Sequence, residues 1–308
     1  MKKAFGNLGK ALQSGEFVFT GELEPEKSTD ISDVLQEAKE LMNYVVACNV
    51  TDNPASYGYM SSLAASHLIQ EQTGTEVIYQ LRCSDRNRMA LFSDLLGAAA
   101  FGIKNVLALT GDYVSLGDFP NAKPVFDYDS SHLTHMIQTM VNKQQDPNGN
   151  EIHGPPPEFN VGVAANPGSD PSEPEVLKIG RKVDAGADFI QTQVVYDIDK
   201  TKDFLRALQP YKIPILVGIF PMRSYGVAKG FDMFVPGVSV PKDLMDKFKH
   251  VKKTITDKKE QKEHYDRINL EFFGPISKEL KDSGLCAGIH IMSVHYTRIT
   301  PKLLALLS

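Results

Sequence analysis

The chain has 308 residues, 42% hydrophobic and 23% charged, with a formal net charge of −5 at pH 7. This profile indicates a globular enzyme that can bury a full core, and the negative charge argues against a general nucleic-acid binder, because phosphate recognition needs a basic surface. Three scattered cysteines and the lack of an apolar leader or of a long apolar run predict a cytoplasmic protein without a membrane span.

Short apolar runs alternate with longer stretches of helical spacing along the chain. The predicted strands cover residues 17–22, 44–49, 77–81, 105–109, 160–165, 189–194, 213–219 and 287–292. The predicted helices cover residues 31–42, 61–72, 86–101, 130–143, 175–185 and 200–208, one or more helices after strand 7, and residues 301–307. Eight strand–helix units without consecutive strands predict an α/β protein, a (β/α)₈ TIM barrel forming one domain over residues 1–308.

The alternative architecture is an open Rossmann-type sheet, but no Gly-x-Gly-x-x-Gly follows the first strand. Three segments are longer than a barrel needs. Residues 110–129 follow strand 4 and are expected on the catalytic face, whereas residues 144–159 follow a helix and are expected on the opposite face. Residues 236–266 predict an extra helix after strand 7, and the lysines between positions 247 and 262 are interpreted as its solvated face.

The chemistry of a barrel gathers where its strands end. The predicted strand ends carry carboxylates, amides and hydroxyls, and strand 8 carries His290. Their spacing suggests no divalent-metal site, no Ser–His–Asp triad and no Schiff-base lysine. The pattern favours a site that binds a large heterocycle and relies on that ligand for its chemistry.

Four segments, in the same order and on the expected strands, resemble the methylenetetrahydrofolate reductase family. They are residues 19–25 (FTGELEP), 107–112 (LALTGD), 182–187 (KVDAGA) with Thr192 and Gln193, and 214–221 (PILVGIFP). The resemblance covers nearly the whole chain and fits the short form that consists of the catalytic barrel. It implies flavin-dependent reduction of 5,10-methylenetetrahydrofolate to 5-methyltetrahydrofolate, with FAD as the favoured cofactor, FMN as its alternative, and NAD(P)H or a partner subunit as electron donor. A homo-oligomer is compatible with it.

The resemblance also implies roles for individual residues. Glu22 would be the general acid that protonates the folate amine, and Asp112 would bind the pterin and lie near the flavin. Gln193 would hold the pterin through its amide, and Tyr225 would pack near the nicotinamide or folate ring. Glu24 and Glu26 are interpreted as exposed carboxylates of a turn. The positions that match flavin contacts are Thr51, Gln80, Thr110, Gly111, Asn166, Glu175 and Lys182, of which Lys182 would meet a flavin phosphate.

This chain departs from the family pattern around the cofactor. The departures, with the usual family residue in parentheses, are Gln80 (histidine), Thr110 (arginine), Asn166 (tyrosine), Asp170 (histidine) and Tyr225 (phenylalanine). They leave two alternatives open: a partner-fed subunit without its own NAD(P)H site, and a pterin-binding, non-redox component of a corrinoid methyl-transfer system.

Overall fold

The computed structural model describes residues 3–235 and 238–307, apart from the side chain of Phe234. Eight parallel strands close into a barrel in chain order, with β8 paired to β1. The predicted TIM barrel is therefore confirmed. Of the predicted domain over residues 1–308, positions 1, 2, 236, 237 and 308 lie outside the described residues.

The eight strands fall where the apolar runs predict them, with ends shifted by up to three residues. They are β1 Val18–Leu23, β2 Ala47–Val50, β3 Val77–Arg82, β4 Asn105–Leu109, β5 Asn160–Ala165, β6 Phe189–Val194, β7 Ile215–Ile219 and β8 Gly288–Ile291. The largest shift is at β2, which begins at Ala47 rather than at residue 44.

Helices follow every strand and surround the barrel. They are α1 Gly6–Ser14, α2 Ser32–Leu41, α3 Ser62–Thr73, α4 Arg88–Ala100, α5 Ser130–Lys143, α6 Glu173–Asp184, α7 Ile198–Leu208, α8 Tyr225–Phe234, α9 Lys242–Thr254, α10 Lys258–Ser283 and α11 Ile299–Leu304. Several begin at a side chain that accepts a backbone N–H, as Asp129 does for His132 and Asp197 for Lys200. No helix within the described residues is both long and apolar enough to cross a membrane.

Helix α1 precedes the first strand and is absent from the sequence prediction. Its residues Leu8 and Ala11 are buried against the lower ends of the strands. The Leu8 backbone N–H donates to Glu76 Oε1 at 3.0 Å, and the Phe5 N–H donates to Asn160 Oδ1 at 3.1 Å. These contacts place α1 as a plug beneath the barrel.

Three helices, α8, α9 and α10, connect β7 to β8. The predicted extra helix is confirmed, and the connection holds one helix more than expected. Apolar residues of α9 and α10 pack on one another, including a stack of Phe248 on Tyr265 with ring centroids 5.2 Å apart. The lysines of this region are exposed, as expected.

The two irregular segments lie as their positions in the chain require. Residues 110–129 follow β4 and form mostly exposed loop with one 3₁₀ turn at Val114–Leu116. Residues 144–159 follow α5 and contain an isolated antiparallel bridge between Gln145 and Glu151. The first segment is therefore on the carboxyl-end face of the barrel and the second on the opposite face.

Candidate functional site

The floor of the barrel interior is apolar. Side chains along a strand alternate between the interior and the surrounding helices. One buried cluster combines the α1 residues Leu8 and Ala11 with a residue from each of six strands, namely Val18, Ala47, Ile78, Leu107, Phe189 and Leu216. This layer seals the lower end of the barrel, so that any ligand site opens only at the strands' carboxyl ends.

Above this floor, the barrel interior is polar. Asn49 Nδ2 donates to Gln191 Oε1 at 2.8 Å, and Gln191 Nε2 donates to Asn49 Oδ1 at 3.1 Å. Gln191 Nε2 also lies 3.4 Å from Thr20 Oγ1, which lies 3.0 Å from His290 Nδ1. All four side chains are buried. Barrel interiors are usually filled by branched aliphatic residues, so a hydrogen-bonded layer here marks a functional interior.

Glu22 lies at the upper end of this polar layer. Its Oε2 atom is 3.4 Å from His290 Nε2 and 3.4 Å from Gln80 Nε2. The Glu22 side chain is 12% exposed and that of His290 is 4% exposed. The structure therefore brings together two of the predicted site residues, Glu22 and Gln80, and joins them to a histidine.

Glu24 follows Glu22 by two positions and so shares its side of the chain. The interpretation of Glu24 as an exposed turn carboxylate is wrong, because its side chain is largely buried. Burial raises the pKa of the Glu24 carboxyl to about 7, and repulsion from Glu22 adds to this shift. The signal missed in the sequence was the two-residue period, which continues from Glu22 beyond the last strand residue, Leu23. Glu26 is exposed, as expected.

His295 connects the loop after β8 to α2 and to the loop that precedes it. Its Nδ1 lies 3.0 Å from Glu37 Oε1 and its Nε2 lies 3.1 Å from Glu26 Oε1. The hydrogen bond to Glu37 raises the pKa of the His295 imidazole. His295 therefore links α2 to the mouth of the barrel.

A β-bulge on β6 places Gln193. The pairing with β7 passes from Gln191 opposite Leu216 to Val194 opposite Gly218, which gives β6 one extra residue. Thr192 Oγ1 accepts from the Gly218 N–H at 2.9 Å, and Gln193 Oε1 accepts from the Val194 N–H at 2.9 Å. Bulges commonly redirect a side chain beside an active site, and here the bulge lies at the residue predicted to hold the pterin.

The rim between β2 and β4 has hydroxyl groups without a protein partner. Within the described residues, Thr51 Oγ1 and Ser84 Oγ are buried and make no hydrogen bond. Gly111 has φ +88°, and a Cβ there would lie 2.6 Å from Ser84 Oγ. Glycine at position 111 therefore lets the turn after β4 pack closely against Ser84. The unpaired hydroxyls suit a ligand that accepts hydrogen bonds.

The loop after β4 contributes exposed side chains to this face. Asp112 is exposed, and its backbone carbonyl accepts from Ser56 Oγ at 3.2 Å. Farther along, Asp118 Oδ1 accepts from the Gly58 N–H at 2.9 Å. These bonds hold the loop against the β2–α3 connection, so that Asp112 stands at the rim on a fixed backbone. Tyr113 is 70% exposed, so a flat apolar surface is available beside it.

Thr110 caps the next helix. Its Oγ1 accepts from the Ser130 N–H at 3.1 Å at the beginning of α5. The hydroxyl is thus already bound to protein.

The residues predicted to contact the flavin after β5 and on α6 lie close together, and their side chains form hydrogen bonds with backbone atoms. Glu175 Oε1 accepts from the Asn166 N–H at 3.0 Å, and Lys182 Nζ donates to the Ala164 carbonyl at 2.6 Å. Asn166 Oδ1 accepts from the Gly168 N–H at 2.9 Å. Burial lowers the pKa of the Lys182 ammonium. These residues shape the loop after β5.

Tyr225 lies apart from Glu22, as the first residue of α8 after the cap Ser224. It is half-buried against the cluster that α8, α9 and α10 form, which also includes Phe220 and Phe231. Asp112, Gln193 and Tyr225 therefore stand at three separate points around the mouth, after β4, on β6 and after β7.

Sequence reasoning missed the role of His290. Its place on β8 was visible, but its partners Thr20 and Glu22 are 268 or more positions distant in the sequence. The available signal was a polar residue at an interior position of several strands. Within the described residues, no three His, Cys, Asp or Glu side chains are grouped as a metal site.

Comparison with known sequences gives one consistent family. The sequence profile described as methylenetetrahydrofolate reductase matches residues 7–308. Methylenetetrahydrofolate reductase 1 of Schizosaccharomyces pombe is 28% identical over 231 residues, covering 71% of this chain and 34% of the relative. Probable methylenetetrahydrofolate reductase (NADPH) of Caenorhabditis elegans is 25% identical, covering 76% and 32%. Probable methylenetetrahydrofolate reductase (NADH) of Oryza sativa is 27% identical, covering 74% and 39%. The chain thus spans little more than a third of the length of these relatives.

Solved structures share the barrel. One is described as an uncharacterized protein from Clostridium thermocellum that binds two copies of 5-methyl-5,6,7,8-tetrahydrofolic acid. It superposes with a TM-score of 0.65 at 16% identity, covering 97% of each chain. Oxaloacetate acetylhydrolase superposes with a TM-score of 0.52 at 9% identity, covering 99% of this chain and 85% of the other. At these identities the likeness shows a common fold.

Proposed function

Because this chain belongs to the methylenetetrahydrofolate reductase family, we propose that it reduces 5,10-methylenetetrahydrofolate to 5-methyltetrahydrofolate with a bound flavin. Family membership confirms the resemblance found in the sequence. The part of this chain that matches covers only about a third of those relatives, so the reaction of this barrel is our proposal. The observation that carries it is Glu22, a carboxyl at the mouth of a barrel whose interior is polar.

Glu22 would act as the general acid. Opening the methylene bridge of the folate leaves an amine nitrogen that must gain a proton. A carboxyl that is 12% exposed and bound through one oxygen by His290 and Gln80 is held in place for this transfer. Proton donation by a positioned side chain commonly contributes a rate factor of about 10² to 10⁴.

Asp112 and Gln193 would recognise the pterin from different sides of the mouth. A carboxylate can accept two hydrogen bonds from the pterin amino and ring N–H groups. The Gln193 amide comes from the β6 bulge, and its Oε1 is already bound to a backbone N–H, which leaves its NH₂ to donate. Tyr225 would pack beside a ring of the folate or nicotinamide. Asp112→Asn should weaken folate binding and leave flavin bound.

The rim from β2 to β4 fits a flavin. The orphaned hydroxyl of Thr51 supports this assignment, and Gln80 lies on β3, between Thr51 after β2 and Gly111 after β4. When bound, the flavin would supply the hydride-transfer chemistry that no protein side chain can perform. Asn166, Glu175 and Lys182 would contribute by shaping the loop after β5. We favour FAD, with FMN as the alternative.

The electron donor is proposed to be NAD(P)H. Relatives are described with NADPH and with NADH. The alternative is a partner subunit that feeds electrons to the flavin. Anaerobic mixing of the purified protein with each nicotinamide distinguishes them. Bleaching of the flavin absorbance supports direct reduction, and a flavin that only dithionite reduces supports a partner subunit.

The decisive experiment separates the two half-reactions. Glu22→Gln should retain bound flavin and its reduction by NAD(P)H, yet reduce methylenetetrahydrofolate about 10² to 10⁴ times more slowly. Glu16→Gln, at an exposed position below the barrel, is the matched control and should behave as wild type. Equal loss of both half-reactions in Glu22→Gln would contradict the assignment of Glu22 as the acid.

One observation favours a second candidate, a non-redox pterin-binding component of a corrinoid methyl-transfer system. Lys182 and Glu175, which match flavin contacts of the family, are bound to backbone atoms. A barrel of this kind would bind methyltetrahydrofolate without a flavin. Purified protein that is colourless, and that neither FAD nor FMN restores, would support this candidate instead.

A further inference from the structure

The polar layer determines which nitrogen of His290 carries a proton. Gln191 Nε2 belongs to an NH₂ group, which can only donate, and the structure places it within reach of both Asn49 Oδ1 and Thr20 Oγ1. One of its hydrogens therefore points at Thr20 Oγ1, 3.4 Å away. The Thr20 hydroxyl accepts this bond and has one proton of its own to donate.

The partner for that proton is His290 Nδ1, 3.0 Å away. If Nδ1 carried a hydrogen, the Thr20 oxygen would receive two donors and its own proton would lack an acceptor among the described residues. Nδ1 is thus the acceptor. In a neutral imidazole the remaining proton is then on Nε2, which lies 3.4 Å from Glu22 Oε2.

We propose that His290 is a positioning residue for Glu22. The chain Asn49–Gln191–Thr20 fixes His290 in the neutral form protonated at Nε2, and this N–H holds the Glu22 carboxyl in its working orientation. The inference rests on the proposed function of Glu22 as the acid and adds the device that orients it. The amide of Gln80 is the second donor to the same oxygen, so Oε1 remains available to a ligand above.

The location of the network supports this role. Burying four polar side chains is unfavourable unless each finds a partner, and an aliphatic layer would fill the same space in an ordinary barrel. The layer ends at Glu22 and has a sealed apolar floor beneath it. A buried hydrogen-bond network of this kind favours a single orientation of the Glu22 carboxyl, which lies at its open end.

The proton position can be measured directly. In protein labelled with ¹⁵N-histidine, the His290 signals are identified by their loss in His290→Gln. We expect the neutral wild-type imidazole to carry its proton on Nε2, because Thr20 donates to Nδ1. Thr20→Val should give a mixture of both tautomers. A wild-type imidazole protonated at Nδ1, or at both nitrogens, would overturn the proposal whatever the activity.

Single-turnover reduction of methylenetetrahydrofolate by the flavin-loaded protein tests whether the His290 N–H orients Glu22 for the reaction. His290→Met, which has no donor, should slow this step about 10-fold to 100-fold while flavin reduction stays within about twofold of wild type. His290→Gln can still donate and should recover most of the rate. Thr75→Val removes a buried hydroxyl at the opposite end of β3 and serves as the control.

The pH profile separates positioning from packing. A donor to a carboxylate favours its charged form, so its loss in His290→Met should move the profile of folate reduction upward by about 0.5 to 1 pH unit. The other charged groups here are Glu24, just after the end of β1, and, near Glu24, His295, Glu26 and Arg223; all are retained in the variant. Equal losses in the Met and Gln variants with an unmoved profile would overturn the role. A wild type that reduces no folate would instead overturn the proposed function. The measurement of the His290 tautomer would still decide whether the network positions His290 as proposed.

Discussion

The ammonium of Lys182 lies 2.6 Å from the carbonyl oxygen of Ala164. This bond ties α6 to β5 at a buried position, although the family resemblance predicts that Lys182 meets a flavin phosphate. A buried ammonium needs a partner, and the strand carbonyl is one.

Replacing Lys182 by methionine tests which role dominates. We expect Lys182→Met to lower the free energy of unfolding by about 1–3 kcal/mol, since a charged hydrogen bond is lost and the Ala164 carbonyl is left without its donor. Urea denaturation of the flavin-free protein measures this. Arg181→Met, at an exposed position of the same helix, should change it by less than about 0.5 kcal/mol. Weaker flavin binding at unchanged stability would favour the phosphate role.

Gly218 is required by the bulge that carries Gln193. A Cβ at this position would lie 2.3 Å from the Thr192 carbonyl oxygen and 3.0 Å from that of Gln193. Gly218→Ala should therefore displace β6 from β7, lower the free energy of unfolding by about 1–3 kcal/mol and weaken folate binding. Fluorescence titration with folate and thermal unfolding measure the two effects.

Gly230 is the matched control for this substitution. It lies within α8, and a Cβ there would meet nothing within 4 Å. Gly230→Ala should raise the free energy of unfolding by up to about 1 kcal/mol, because alanine favours helix. If Gly218→Ala behaved like Gly230→Ala, the bulge would not depend on the glycine.

The barrel could be predicted from the sequence because its signal is local. Each buried strand is a short apolar run such as residues 105–109, and each helix shows its own period. Helix α1 escaped prediction because it buries only Leu8, Gly9 and Ala11 among small and polar residues. Its place as a plug depends on contacts with Glu76 and Asn160, far along the chain, which no local period reveals.

The site was predictable only in part, for a related reason. The resemblance singled out Glu22, and the structure places Gln80 beside it. The partnership of Glu22 with His290 joins β1 to β8 and exists only because the barrel closes. The burial of Glu24 likewise depends on the loops that surround it. Local pattern thus identifies the elements, whereas the environment of each side chain arises from closure.

The plug should stabilise the barrel without taking part in the chemistry. Leu8→Ala removes a fully buried side chain and should lower the free energy of unfolding by about 2–5 kcal/mol. Because α1 lies at the end opposite Glu22, folate reduction by the folded protein should remain within about twofold of wild type. Lys10→Ala, on the exposed side of the same helix, is the control for stability. A large loss of activity in folded Leu8→Ala would show that the floor influences the mouth.

Glu24 should make the stability of the protein depend on pH. Burial and the neighbouring Glu22 raise the pKa of its carboxyl from 4.5 to about 7. The folded protein therefore binds this proton more tightly than the unfolded chain does. The resulting stabilisation is complete below about pH 4.5 and is lost as the pH rises through about 7.

Glu24→Gln removes this titration. We expect the unfolding free energy of the variant, relative to wild type, to rise by about 2–3 kcal/mol between pH 4.5 and pH 8. Taking the difference between the two proteins removes most of the contribution of His295, which both retain and whose raised pKa gives stability that is also lost with rising pH. Glu151→Gln, exposed on the opposite face, should show a constant difference. A constant difference for Glu24→Gln as well would mean that its carboxyl is charged in the folded protein at neutral pH, and that solvent reaches it at the mouth of the barrel.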